Sequence, residues 1–187
     1  MSEAESNPKV EAGLGYHSLD LEEQQRLSLL AELGVLDTDA EPSYDALTRA
    51  AASITQCPIA LISLVDGERQ WFKARIGFDE EQTPREGSFC SYAIRSPELM
   101  VVGDARTDVR FFKHPLVQGS SGMRFYAGQP LTVDGIRIGT LCVIDTKPRE
   151  LSIEAREALQ DLGVAASTML SDRRNRAASI EQQRRLT

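Results

Sequence analysis

RFYAGQPLTVDGIRIGTLCVID, residues 124–145, decides the fold. Two apolar runs flank Asp134-Gly135, a dipeptide that accepts the positive φ of a tight turn, so the stretch predicts two antiparallel strands in a hairpin. A period of two puts Phe125, Ala127, Gln129 and Leu131 on one face of the first strand and Arg124, Tyr126 and Gly128 on the other. Ile138, Thr140, Cys142 and Ile144 share a face of the second. Gln129, Thr140 and Cys142 are polar for so apolar a sheet; they either line a pocket or face solvent between helices.

The segments upstream repeat the pattern. PIALISLVD (58–66) ends in the turn signal Asp66-Gly67 and leads into QWFKARIGF (70–78), a second hairpin. MVVGDA (100–105) reads as a third strand in chain order, between the two hairpins, and Ser88 as the cap of a short helix, FCSYAIR, that stops before Pro97. Helical spacing rules the two ends. Leu27, Leu30, Ala31 and Gly34 share one face of a helix starting at Asp20, with Leu29 and Leu33 widening it. A second helix runs from Pro42 to about Gln56, with Leu47, Ala50, Ala51 and Ile54 inward. Ser152 caps a long final helix. The order implies an α+β domain: an antiparallel sheet of five or six strands with the terminal helices on one face.

In the final helix Leu159, Leu162, Ala166 and Met169 follow a heptad seam that Ala155 extends backwards. The seam meets Arg173 and Arg176 before Ile180 resumes it. Such a stripe packs either on its own sheet or on a second copy, and a homodimer through the terminal helices is expected. The expected divisions are a disordered acidic tail over 1–18, a domain with its flanking helices over 19–171, and a basic helical extension or linker over 172–187.

The 187 residues carry a net charge of −7, which argues against a partner held by phosphate neutralisation. The acidity is local. Residues 1–41 hold ten acids and two bases (net −8), residues 42–171 sixteen and fourteen (net −2), and residues 172–187 two and five (net +3). The opposite charges of the two ends suit pairing across a dimer. No apolar run reaches the roughly 18–20 residues of a membrane span, and MSEAESNPKVEAG lacks the apolar stretch of a signal peptide. Three cysteines without a CxxC pair suit a reducing compartment, so a cytoplasmic location is expected.

YDALTRAAASITQCPIALISLVDGERQWFKARIGF (44–78), TPREGSFCSYAI (83–94), VVGDARTDVRFFKHPLV (101–117) and RFYAGQPLTVDGIRIGTLCVIDTKPR (124–149) together resemble a bacterial GAF domain. The likeness is to the sensory GAF domains that precede histidine kinase or diguanylate cyclase output domains. It implies a PAS-related fold with a small-molecule pocket on the side of the sheet opposite the terminal helices. It implies no single ligand or cofactor, since GAF domains hold cyclic nucleotides, bilins, haem or small metabolites. Phytochrome-like members that attach a bilin place a histidine beside the cysteine; Ser91 follows Cys90 here. The NKFDE signature of cyclic-nucleotide binders is absent.

Three segments supply the candidate ligand-binding residues. In the first, Arg85 precedes Ser88, Phe89 and Cys90 at a helix start, where free N–H groups favour an anion. Arg85 either contacts such an anion or pairs with Glu86 or Asp104. Cys90 is either a reactive thiol or an inert core residue. The second contributes Asp104, Arg110 and Phe111, with His114 read as a surface or turn histidine and haem not expected. The third contributes Tyr126, Gln129, Thr140 and Cys142, while Tyr126 and Trp71 either close a cavity or pack in the core.

Nucleotide-binding glycine motifs, metal-ligand spacings, a G-x-S-x-G elbow, a phosphoacceptor box and a GGDEF motif are all missing. The expectation is therefore a sensor without enzymatic activity or resident metal, which binds a small molecule or senses redox state and signals through its terminal helices. The alternative is a GAF-fold thiol-dependent reductase resembling free methionine sulfoxide reductase, with Cys90 attacking and Cys57 or Cys142 resolving.

Overall fold

Both hairpins form, and their inner strands pair with each other. In the computed structural model, which describes residues 8–186 and the side chains from Asp20 onward, the first hairpin is β1 (Ile59–Val65) and β2 (Arg69–Ile76). A three-residue strand, β3 (Gln82–Pro84), adds to its outer edge. After β4 (Met100–Val102) comes the second hairpin, β5 (Phe125–Val133) and β6 (Ile136–Asp145), turning on Asp134 (φ 50°) and Gly135 (φ 75°). The six-stranded sheet runs β3-β2-β1-β6-β5-β4, antiparallel at every pairing.

Three helices cover one face: α1 (Pro8–Glu32), α2 (Pro42–Thr55) and, after two short ones, α5 (Ile153–Leu186). Leu30, Leu33, Leu159 and Leu170 meet Ile62, Leu131 and Leu141 of the sheet in one buried core. Each such leucine contributes about 2 kcal/mol on burial. The other face carries α3 (Phe89–Ala93) and α4 (Pro115–Gln118), with a second core around Phe89, Phe111, Tyr126 and Cys142. No described helix is long and apolar enough to cross a membrane.

Several expected faces turn. In α1 the buried stripe is Leu29, Leu30 and Leu33, with Ala31 exposed. In α2 it is Tyr44, Thr48, Ala51 and Thr55, leaving Ile54 at 47% exposure. Along α5, Ala155, Leu159, Gly163, Ala166 and Leu170 are buried, with Leu162 and Met169 packed beside them, so the stripe lies on the chain's own sheet. Residues 8–18, expected as a disordered tail, stand in the first half of α1, where Pro8 occupies a first turn that needs no N–H donor. The rest of that tail, residues 1–7, lies outside the described residues. The basic extension continues α5 as helix to Leu186.

Two irregularities redirect side chains. Pairing shifts between Leu131 and Thr132, leaving Ile138 unpaired, and that bulge turns Ile138 to the helical face instead of the face of Thr140 and Cys142. A second shift, between Ile62 and Ser63, leaves Lys73 unpaired. Lys73 Nζ then reaches Glu41 at 2.6 Å, Thr38 Oγ1 at 2.8 Å and the carbonyl of Asp39 at 2.6 Å, with none of its side chain exposed. Glu41 also accepts from Arg173 of α5 at 2.8 Å, and Arg174 pairs with Glu32 and Asp134. The acidic arm and the basic extension, expected to pair across a dimer, thus meet within one chain.

The fully enclosed Lys73 ammonium makes its partner costly to remove, because desolvation is compensated only while a counter-charge is present. Glu41→Ala is expected to lower unfolding free energy by about 2 kcal/mol, and Lys73→Met in the same chain to restore most of it. Urea denaturation of the two variants checks this; equal loss in both would show that Lys73 does not depend on Glu41.

Candidate functional site

Between the sheet and the α3–α4 layer lies a cavity of about 290 Å³. Leu61, Gln70 and Phe72 reach it from the first hairpin, Tyr126, Cys142 and Ile144 from the second, and Ser88, Phe89 and Cys90 from α3 and its cap. Phe78, His114, Leu116 and Met123 complete much of the wall, and Glu80 and Glu86 the charged part of its lining. Among the described residues no lysine or arginine lines it.

Cys90 stands at the floor. Ser88 caps α3 by accepting from the Ser91 N–H at 3.3 Å, which sets the helix so that Cys90 points to the sheet. There its sulfur accepts hydrogen bonds from Tyr126 Oη at 3.3 Å and Thr140 Oγ1 at 3.2 Å. The neighbouring Cys142 side chain is the largest influence lowering the Cys90 pKa, and burial opposes it. The Cys90 side chain, with burial, pushes Cys142 up, and burial pushes Tyr126 up. The two hydroxyl donors around one sulfur favour a thiolate at Cys90 over one at Cys142.

Gly128 makes room for this arrangement. A Cβ there would lie 2.2 Å from Tyr126 Oη, so the phenol lies over the bare backbone two residues along its own strand. Above it Phe89 stacks on Phe111 with centroids 3.9 Å apart and planes at 13°, and meets the Tyr126 ring at 5.1 Å. His114, read from the sequence as a turn residue, is in the wall: its Nδ1 accepts from the Leu116 N–H and caps α4, its ring meets Phe89 edge-on at 5.4 Å, and burial lowers its pKa.

Of the residues singled out from the sequence, Ser88, Phe89, Cys90, Tyr126 and Cys142 line the cavity. Thr140 and Phe111 support it from behind, through the sulfur and the stacked ring. Gln129 does not reach it. It lies on the helical face, where Gly163 of α5 leaves room for it: a Cβ there would come within 2.4 Å of the Gln129 side chain. Trp71 packs in the helical core. Asp104 is occupied by Arg106 at 2.7 Å and Arg110 by Asp108 at 2.7 Å, two pairs at i,i+2 that spend these charges locally. Leu61, Gln70, Phe72 and Phe78 were missed, although alternation along the first hairpin marks the first three.

Arg85 is outside the cavity, in a mixed-charge groove of about 980 Å³ beside α1. Its guanidinium pairs with neither Glu86 nor Asp104 but with Glu23 of α1, and also donates to the carbonyls of Asp66 at 3.0 Å and Gly67 at 3.2 Å. Glu23 holds Arg26 as well, through Nε at 2.8 Å and a second nitrogen at 2.7 Å, while Arg26 reaches the Val65 carbonyl. Arg26 above all, then Arg85, hold the Glu23 carboxyl down at about 2 against burial. The Arg85 carbonyl accepts from the Ser88 N–H at 3.0 Å and the Ser91 hydroxyl at 3.2 Å. Glu23 is therefore tied to the cap of the helix that carries Cys90. Among the described residues no group of three His, Cys, Asp or Glu could hold a metal ion.

Residues 39–170 match the family model of the GAF domain. Over 129 residues the chain is 48% identical to a cyclic di-GMP phosphodiesterase of Pseudomonas aeruginosa; the match takes in 68% of this chain and 22% of that protein, so the chain spans about a fifth of the length of the curated relative. The fold is shared with the GAF domain of an Acinetobacter phosphoenolpyruvate-protein phosphotransferase (TM-score 0.57, 16% identity, 86% of this chain and 97% of that one). It is shared also with type II free methionine-R-sulfoxide reductase from Thermoplasma acidophilum (TM-score 0.55, 12% identity, 70% and 93%). The expectation of a chain without enzymatic activity is overturned by these likenesses: one relative is named as a phosphodiesterase, and the fold is one that a reductase uses.

Two outcomes test the site. Because Glu23 is depressed from 4.5 to about 2, the stability it contributes is complete above about pH 4.5 and is lost as the pH falls towards 2. Urea midpoints of wild type and Glu23→Gln should converge over that window; a constant difference contradicts the clamp. Gly128→Val should push the Tyr126 phenol off Cys90, raising the Cys90 pKa as followed by thiol alkylation against pH. An unchanged profile would show that Tyr126 does not support the thiolate.

Proposed function

The chain belongs to the GAF domain family, and we propose that it is the sensing part of a cyclic di-GMP signalling protein, taking up a small, largely apolar, neutral or cationic molecule and passing its binding to the terminal helices. The cavity carries this reading. Its walls are aliphatic and aromatic, its charged lining groups are carboxylates, and among the described residues no lysine or arginine lines it to meet a phosphate. Cyclic di-GMP suits this chain as the substrate of an output activity better than as the occupant of this cavity. The 48% identical relative, named a cyclic di-GMP phosphodiesterase, supports a phosphodiesterase output ahead of a histidine kinase or diguanylate cyclase.

Ser88, Phe89, Cys90, Tyr126 and Cys142 contact the ligand, with Phe111 and Thr140 bracing them. A ligand that favours one position of α3 also favours one position of the Arg85 backbone, to which Ser88 and Ser91 are bonded. Arg85 carries that preference to Glu23 of α1, and the helical layer of α1 and α5, paired with that of a second copy, turns it into a shift between dimer arrangements.

Native mass spectrometry of the purified chain identifies a retained small molecule and the oligomeric state together. With that molecule, or the best binder from a panel of small aromatic amines and alcohols, amide exchange in residues 20–32 should slow on binding. Arg85→Gln should bind with similar affinity yet leave exchange in that segment unresponsive. A response of the same size in the variant rejects the route through Arg85, and no binder at all rejects the ligand.

A second reading, a thiol-dependent reductase, has the presence of both Cys90 and Cys142 in the cavity lining in its favour. Turnover of free methionine sulfoxide that disappears in Cys90→Ser would establish it; absence of turnover in wild type dismisses it.

A further inference from the structure

We propose that Cys90 and Cys142 form a redox-active dithiol, which a hydroperoxide entering the cavity oxidises to an intramolecular disulfide. The inference uses the same cavity as the proposed ligand but does not need that ligand to exist.

Both cysteines line the 290 Å³ cavity, and both are otherwise buried. Tyr126 Oη and Thr140 Oγ1, themselves buried, donate to Cys90 Sγ at 3.3 and 3.2 Å. Two hydroxyls directed at one sulfur match a thiolate better than a thiol, because an ionised acceptor strengthens each bond. Cys142 pairs across the strands with Gly128, the residue whose bare backbone the Tyr126 hydroxyl lies over, so the resolving residue stands beside the hydroxyl that donates to Cys90. The neighbouring Cys142 side chain above all, then the Thr140 and Tyr126 hydroxyls, lower the Cys90 pKa against burial, while Cys142 is pushed up. Cys90 is thus the easier of the two thiols to ionise, the division of labour that a peroxide-reacting pair requires.

Cys57 is the internal control. It lies in the helical core across the sheet, and burial raises its pKa.

The step balances without other reactants. The Cys90 thiolate attacks one peroxide oxygen; the S–O bond forms as the O–O bond breaks, and the leaving alkoxide or hydroxide takes up a proton to give an alcohol or water. Cys142, losing its proton, attacks the resulting sulfenic sulfur. The S–S bond forms, the S–O bond breaks, and the departing hydroxide leaves with that proton as water. Two thiols and one hydroperoxide give one disulfide, one alcohol (or water) and one water. The disulfide ties α3 to β6 and takes the ionised acceptor away from Tyr126 and Thr140, so oxidation rearranges the cavity floor itself.

The test treats the folded 187-residue chain with hydrogen peroxide, then denatures, alkylates and digests it with trypsin. Cys57, Cys90 and Cys142 fall in separate peptides, residues 50–69, 86–95 and 138–149. Peptides 86–95 and 138–149 should be recovered joined within one chain, with Cys57 alkylated and dithiothreitol restoring all three thiols. Cys142→Ser should stop at a Cys90 sulfenic acid that dimedone traps. Tyr126→Phe and Thr140→Val should each slow oxidation by about threefold or more while the same two peptides still join. Three results overturn the proposal: Cys90 and Cys142 fully alkylated after peroxide has oxidised glutathione in the same tube, a link that includes Cys57, or a link found only between chains. Ligand binding in a chain with unreactive cysteines would leave the sensing role standing and dismiss the dithiol alone.

Discussion

The Glu23 carboxylate, held between the guanidinium groups of Arg26 and Arg85, is the contact that ties the helical layer to the cavity side of the sheet. The sheet separates two cores, the helical one beneath and the cavity one above. A sheet bonded strand to strand is a poor conductor of small shifts from face to face. The Glu23 clamp goes round its end, joining α1 to the carbonyls of Val65, Asp66 and Gly67 and to the backbone that caps α3. Exposed ion pairs contribute little, at most about 1 kcal/mol each. This one is partly buried, involves two arginines on one carboxylate, and has backbone carbonyls to take the remaining donors.

On the cavity side the constraint is space. Tyr126 can reach Cys90 only because Gly128 has no side chain, and Cys90 faces the floor only because Ser88 starts α3 at the right residue. The Thr140 and Tyr126 hydroxyls converge on one sulfur, with Cys142 in the same cavity lining. Burying polar groups in an apolar layer is unfavourable unless they bond one another. Here they do so around an atom with chemistry of its own.

The hairpins were legible because alternation and the Asp-Gly turns agree, and the sheet follows from them. Cys90, Tyr126 and Cys142 were legible as neighbours because they belong to strands and a helix start whose phase could be read. Ile138 was misplaced by a bulge, which a strict period of two cannot show. Gln129 was misplaced because a polar side chain on a strand looks the same whether it faces a cavity or a small residue on a helix; Gly163 decides that, and it lies on another element. Asp104 and Arg110 carried a signal that was there to be read, an arginine two positions after an aspartate in both cases. The partner of Arg85 had none. Glu23 is 62 positions away, among many carboxylates of equal merit.

The most direct test of the claim that cavity and helical layer communicate through Arg85 is a double-mutant cycle on unfolding free energy between Phe89→Leu in the cavity and Glu23→Gln in α1, run with Arg85 present and again with Arg85→Gln. The account predicts a coupling of about 0.5 kcal/mol or more in the first cycle and near zero in the second. Additive effects with Arg85 in place, or a coupling that survives its replacement, would contradict it.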